Sequence, residues 1–546
     1  MTIWQPPADT VGDHRLIRTS LPMLREDRHG CGTGIALRAR PLVEQTPPRS
    51  RRKPIEDFAL APVMAALDTI ERQGTSLDAA LEQLKLTLRC HPAHLAWAAE
   101  AVRHYLDARS AEARARCAAG LPDTCPVRHS WVAVEQLARA DRRGATRYER
   151  TAWGRRYASA DGSCREIWLL SVNSVKDHPA PVIAEAASVA ATGHPAVAKF
   201  RDINRPADGN TTLPQEVRVV AVGCGDGSHK VVADWSAEQA VLEFAEHTKP
   251  VLTQAVEADG LNPGSDCVNC EGLTACSAPL RAPRLLGIGR PRRIRRRRSV
   301  SVSDLRTHAE CPAKFHLTRV LHLRSAEPES PAIRRGRAID TWLNYQHSVR
   351  RPRGCRGLTL PVALPGLSSE ESESALRMIA QHAAVCPLDG LPERDRIEVQ
   401  PRLAAYDAEL DVIVIADPDL LYSESGGWVL RETKTTSRRP WEGRPLLETY
   451  PQLSLAVLLM SAGVPGGDLR RSRIELELLY PDGSACEEIE PADPAVVEEA
   501  RQVIATLAGP WASDESYTAT PGEHCAGCEV QRWCSAGRPF DAGAAS

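Results

Sequence analysis

The chain has 546 residues, a hydrophobic fraction of 42%, a charged fraction of 25% and a formal net charge of -2. That length exceeds one ordinary core and implies two domains or more. The near-neutral charge excludes binding of nucleic acid by bulk charge, so any such contact needs a local basic patch.

At the N-terminus, Met1 to Arg18 mixes polar and acidic residues without the apolar stretch of a signal peptide, so a reducing cytoplasm is the expected location. There, 16 cysteines are expected as metal ligands or buried thiols rather than disulfides. Apolar runs such as Leu453 to Met460 are too short to span a bilayer, and no membrane partner is expected.

Along the first half, Glu216 to Val222 predicts a strand, and Gly223-Cys-Gly-Asp226-Gly227 follows. A nucleotide-binding glycine loop would lead into a helix. Here Lys230 to Ala233 predicts a second strand, which makes the glycines a hairpin turn. A helical stretch, Ala237 to Ala255, leads to Cys267-x2-Cys270-x5-Cys276. The second half repeats this order. Arg473 to Tyr480 predicts a strand, Asp482–Gly483 a turn, Pro494 to Leu507 a helix, and Cys525-x2-Cys528-x5-Cys534 closes it, offset by 258 residues from the first triplet. No P-loop occurs, so the chain has no ATP-driven motor of its own. The repeated order predicts an internal duplication. Between the halves, Arg281 to Arg298 holds nine arginines and no acid. It is either a solvated linker or a phosphate-binding strip, with Arg295, Arg296, Arg297 and Arg298 as the candidate DNA contacts. The expected domains are 1–280, the linker 281–298, and 299–546.

Within the second half, Asp411 to Tyr422 is apolar with acids at Asp417 and Asp419, and predicts the first strand of a hairpin. A turn is expected at Gly426–Gly427, followed by the strand Trp428-Val-Leu-Arg-Glu432-Thr-Lys434. Alternation sets Glu432 and Lys434 on one face. Two carboxylates near a hairpin end can hold Mg²⁺ or Mn²⁺, and a lysine beside them can orient water or offset developing charge. By itself, a solvated salt-bridged hairpin explains the same residues.

These motifs together resemble the PD-(D/E)XK nuclease superfamily, in its RecB-like branch with an iron–sulfur cluster (Cas4/AddB-type), over about residues 299 to 536. Ser301-Val-Ser-Asp-Leu305 with Cys311-Pro312 resembles the branch's opening helix. Gly336-x3-Asp340 stands at its Gly-x3-His motif, Asp419 at its metal-binding aspartate, Glu432-Thr-Lys434-Thr435 at its (D/E)-x-K-T motif, and Gln452 at the glutamine of Q-x3-Y. Asp340 replaces the usual histidine, and Ala456 replaces the usual tyrosine. The resemblance implies two tandem α/β, restriction-endonuclease-like domains, each a mixed central sheet flanked by helices. It implies metal-dependent hydrolysis of DNA phosphodiester bonds by Asp419, Glu432, Lys434 and Gln452, with the metal on Asp340, Asp419 and Glu432. It also implies a [4Fe–4S] cluster on Cys311, Cys525, Cys528 and Cys534, whose rival is a structural Zn²⁺. DNA is the expected partner, with a separate helicase or other subunits in repair, CRISPR adaptation or phage defence.

In the first half the matching strand is Glu166-Ile-Trp-Leu-Leu-Ser171-Val-Asn-Ser174, where Ser171 or Ser174 is expected at the position of Glu432. A degenerate, catalytically silent copy follows, so the second half alone is expected to cleave. Cys267, Cys270 and Cys276 can hold a second cluster or Zn²⁺, with Cys31 as the expected fourth ligand and Cys90 as the other choice. A different class of function, a non-catalytic DNA-binding or scaffold subunit, is what the changes at Asp340 and Ala456 leave open.

Overall fold

The computed structural model describes residues 6–25, 27–44, 55–138, 145–197, 203–207, 213–290, 296–324, 330–437 and 443–540. Each half is built on a five-stranded sheet. In the first, β1 (Thr124–Pro126), β2 (Arg155–Ser159), β3 (Cys164–Ser171), β4 (Glu216–Gly223) and β5 (His229–Ser236) lie in sequential order. In the second, β6 (Ile397–Val399), β7 (Leu420–Glu424), β8 (Gly427–Thr435), β9 (Arg473–Tyr480) and β10 (Gly483–Ile489) do the same. Neighbours are antiparallel except β3–β4 and β8–β9, which are parallel. A parallel pair needs a crossover. Helices α2 (Ala180–Thr192) and, further along, α6 (Pro451–Ser461) supply it, and both are buried almost all round.

A second pairing is also repeated. Leu16–Ser20 runs parallel to Ala145–Thr151, itself antiparallel to Ser130–Ala138. Arg298–Val300 runs parallel to Val412–Ala416, itself antiparallel to Leu403–Asp407. Strand order and pairing sense are thus the same in the two halves. The glycine run at 223–227 is a hairpin turn, as expected, with Gly223 N–H donating to the Ser228 carbonyl at 2.7 Å.

Other helices include α1 (Pro92–Ala118) in the first half, and α3 (Val302–Glu310), α4 (Pro331–Ser348), α5 (Ser369–Val385) and α7 (Pro494–Ser513) in the second. Helix α3 begins on a capping box in which Ser301 and Asp304 satisfy each other's backbone N–H groups, worth about 1 kcal/mol. Among the described residues, no helix is long and apolar enough to cross a membrane.

Two expectations change. The first part of the stretch expected as a linker, 281–290, is packed on the second half. Leu280–Arg281 pairs with Leu403–Asp407, and Ala282, Leu285 and Leu286 are buried in the second half's core. The apolar residues of the segment, not its arginines, decide its place. Second, Asp411 to Tyr422 is not one strand. It breaks at Asp417–Asp419, so that Val412–Ala416 and β7 belong to different sheets.

The halves also trade their cysteine loops. Val530 and Trp533, from the last triplet, pack with Trp97 and Ala101 of α1. Cys267 and Leu273, from the first triplet, pack with Tyr406, Ile413 and Ile415 of the second half. Burial of side chains this size is worth roughly 1.5–3 kcal/mol each. It outweighs the exposed Arg532–Glu100 ion pair beside it, worth at most about 1 kcal/mol.

Candidate active site

The β7–β8 hairpin sets the site. Its turn is Ser425–Gly426, both left-handed (φ 52° and 88°), one residue earlier than the Gly-Gly pair suggests. Gly427 serves a different need, since a Cβ there would lie 2.2 Å from the Arg471 carbonyl oxygen. Asp419 stands in the bend before β7, and Glu432 and Lys434 share one face of β8.

These three side chains converge. Lys434 Nζ lies 2.9 Å from Glu432 Oε2 and 4.0 Å from Asp419 Oδ2. The Thr433 backbone N–H donates to Asp419 Oδ2 at 2.7 Å. Asp340 arrives from α4, which lies beside β8 at Gly336, one turn earlier, where a Cβ would only touch Thr435 Oγ1 at 3.4 Å. Gln400 is a residue that motif reading misses. It sits at the end of β6 with φ 48°, its N–H donates to the Asp419 carbonyl at 3.0 Å, and its Nε2 donates to Asp340 Oδ2 at 3.2 Å. Only its position in the fold, between two acids far apart in sequence, reveals it. Gln452 stands in the first turn of α6, and among the described residues it makes no hydrogen bond to these acids. Asp417, the other acid of the bend, is turned away and bound by Arg402 at 2.8 Å.

Three carboxylates thus face one ammonium. Burial raises the Glu432 carboxyl to about 7; the charges of Asp419 and Asp340 add to the rise, and Lys434 opposes it. Burial also raises Asp340, with Asp419 as the next cause. Burial alone would lower Lys434, yet Glu432 and Asp419 hold it above its ordinary value. A surplus of half-buried oxygen ligands with no soft donor among them suits a hard divalent cation.

The first half lacks this arrangement. The pair Arg155↔Trp168 corresponds to Leu420↔Arg431, each formed by the first residue of its antiparallel strand. Matched on that pair, Leu169 falls at the position of Glu432 and Ser171 at that of Lys434, and neither is a carboxylate. Gly154 takes the place of Asp419, and a Cβ there would lie 2.3 Å from the Trp168 carbonyl oxygen. The acid on this strand, Glu166, points to the other face, where Arg116 and Arg218 both hold it at 3.2 Å.

Both cysteine sets are gathered. Cys311, Cys525, Cys528 and Cys534 line one pocket, where the Thr520 N–H points at Cys311 Sγ at 3.5 Å. Cys31, Cys267, Cys270 and Cys276 line another, of about 220 Å³, where the Gly34 N–H points at Cys31 Sγ at 3.4 Å. Cys31 and not Cys90 completes the second set. Burial raises the Cys270 thiol to about 11 and raises Cys528, and in each the charges of the other cysteines add to the rise. A further group, His347, Cys355, His382 and Cys386, is buried with ligand atoms within 4.8 Å of one another and can hold a metal ion; no motif in the sequence singles it out.

Two of the four candidate arginines are engaged within the protein. Arg295 lies outside the described residues. Arg297 is bound to Asp411 at 2.8 Å, and the Arg298 guanidinium stacks 3.5 Å from the centre of the Trp511 ring. Arg296 is the more exposed, near Asp57 and Asn269.

No curated protein matches this chain. A solved structure titled "Crystal structure of SSO0001" is similar at 17% identity, covering 45% of this chain and 89% of that one, with a TM-score of 0.23. The model of the PD-(D/E)XK nuclease superfamily matches residues 299–535, and that part of the chain, with its β7–β8 hairpin of Asp419 and Glu432-Thr433-Lys434, is a PD-(D/E)XK nuclease superfamily domain.

Proposed function

We propose that the second half is a divalent-metal-dependent DNA nuclease that hydrolyses phosphodiester bonds. The observation that carries this reading is the convergence of Asp340, Asp419 and Glu432 around Lys434. The three carboxylates would hold Mg²⁺ or Mn²⁺, an ion that polarises a phosphoryl oxygen and makes bound water more acidic. Lys434 keeps a positive charge at the edge of the acids, where it offsets charge growing on a scissile phosphate. Gln400 and the Thr433 N–H hold Asp340 and Asp419 in place, so the acids are arranged before substrate arrives.

Each cysteine set fits a soft metal group, because four thiols meet in one pocket and a backbone N–H in each already points at a sulfur. We assign a [4Fe–4S] cluster to Cys311, Cys525, Cys528 and Cys534, as in the RecB-like branch, and a second cluster or Zn²⁺ to Cys31, Cys267, Cys270 and Cys276. Their role is to clasp chain segments that are remote in sequence. The first half is a catalytically silent copy that supports the second. The test is Glu432→Ala in the full chain with Mn²⁺ and labelled DNA. Cleavage should disappear while DNA binding, which rests mainly on phosphate electrostatics, persists. Cleavage at the original rate would place the active site elsewhere.

A further inference from the structure

Helices α4 and α5 form a paired unit beside the sheet. Ser368 and Glu371 close a capping box at the start of α5, and Glu371 also accepts a 2.6 Å bond from Arg334 of α4, which sets the two helices against each other. At the far end of this pair, His347 comes from the last turn of α4 and His382 from the last turn of α5, with Cys386 one turn further on. Cys355 comes from the loop after α4. The spacing His-x7-Cys-x26-His-x3-Cys lies outside the common zinc-finger patterns, which is why the residues read individually as ordinary core.

All four are buried, and their ligand atoms lie within 4.8 Å of one another. His347 Nε2 is 3.1 Å from His382 Nε2 and 3.9 Å from Cys386 Sγ. Tetrahedral Zn²⁺ with bonds of about 2.0–2.3 Å needs ligand atoms roughly 3.3–3.8 Å apart. The set is close to that spacing before any adjustment. A two-iron cluster with two histidines on one iron and two cysteines on the other would need the pairs well separated.

Three further observations point to a ligand. Glu477 Oε1 accepts from His382 Nδ1 at 2.8 Å, which leaves the His382 Nε2 lone pair facing the other three groups. This is the carboxylate–histidine arrangement that orients metal-bound imidazoles. The Cys355 N–H points at Cys386 Sγ at 3.3 Å, as donors do toward metal-bound sulfur. Gly354, at φ 50°, lets the loop come this close: a Cβ there would stand 2.8 Å from Cys386 Sγ. The loop is tied down again by Arg356 on Asp389 at 2.9 Å.

We propose that His347, Cys355, His382 and Cys386 bind one structural Zn²⁺, separate from both four-cysteine sets and independent of whether the second half cleaves DNA. The site does more than staple two helices. Glu477, which orients His382, also accepts from Thr433 Oγ1 at 3.1 Å, and the Thr433 N–H holds Asp419. The zinc thus braces the strand that carries Glu432 and Lys434.

The test measures zinc and iron in the full chain purified without oxygen or added metal, and zinc K-edge X-ray absorption on the same sample. One zinc per chain with two sulfur and two nitrogen ligands is expected, or, if the Cys31 set also holds zinc, two zincs averaging three sulfurs and one nitrogen, of which Cys386→Ser removes the nitrogen-bearing one. Cys386→Ser should lose that zinc and leave the iron content unchanged. Absence of zinc, a shell of four sulfurs, or a Cys355–Cys386 disulfide in the unreduced protein would overturn the proposal. If Cys386→Ser does not fold, the spectrum of the wild-type protein decides alone.

Discussion

The backbone N–H of Thr433 donates to Asp419 Oδ2 at 2.7 Å, so the residue between Glu432 and Lys434 is the one that fixes the third charged group. The same residue's hydroxyl reaches Glu477. Thr433→Val keeps the first bond and deletes the second. Loss of one such buried bond should cost about 1–2 kcal/mol of stability. Cleavage should fall several-fold without a change in DNA affinity. An unchanged rate and melting temperature would show that the hydroxyl is idle.

Glu432 gives the site its pH dependence. Its carboxyl is raised to about 7, so the folded state holds this proton more tightly than the unfolded chain. In metal-free protein the stabilising effect of that proton is present below the ordinary glutamate range and is lost as pH rises through about 7. Protons and cation compete for the same oxygens. Mn²⁺ affinity, followed by titration calorimetry from pH 6 to 8, should therefore rise with pH. Lys434→Met removes the group that opposes the shift and should move the curve to higher pH. A flat profile would mean that Glu432 is not a ligand.

Gln400 should act by positioning. Gln400→Gly suits its φ of 48° and deletes the bond to Asp340. The melting temperature should hold or rise, while the Mn²⁺ concentration for half-maximal cleavage increases several-fold. Loss of stability with unaltered metal dependence would assign Gln400 a purely structural part.

Arg297 should matter to folding, not to DNA. Its partner Asp411 is mostly buried and also accepts from the Tyr406 hydroxyl at 3.0 Å, so Arg297→Ala should cost about 1–2 kcal/mol, below the value for a wholly buried pair. Denaturant melts should register the loss. The salt dependence of DNA binding should keep its slope, which reports the number of phosphates contacted. A shallower slope would return Arg297 to the DNA.

Much of this site was legible in the sequence, because hairpin alternation ties Glu432 to Lys434 and the equal cysteine offsets reveal the repeat. Cys31 was legible by analogy with Cys311. Gln400 was not, since its value depends on β6 lying beside β7, a long-range pairing without local signal. The His347–Cys386 group was equally hidden, because its members come from two helices and a loop whose docking no periodicity encodes. The internal places of Arg297 and Arg298 were not legible either, because charge composition cannot tell that Asp411 and the Trp511 ring lie beside two of these guanidinium groups.

The exchange of cysteine loops bears on what the first half does for the second. A chain trimmed to residues 299–546 would lay bare Leu317, Leu321, Val530 and Trp533 on one side and Tyr406, Ile413 and Ile415 on another, all now covered by the first half. Such patches drive aggregation. The trimmed protein should precipitate, against the simple expectation that it suffices for cleavage. Each half thus shelters apolar surface of the other, and the first is needed for the fold of the second whatever chemistry it carries.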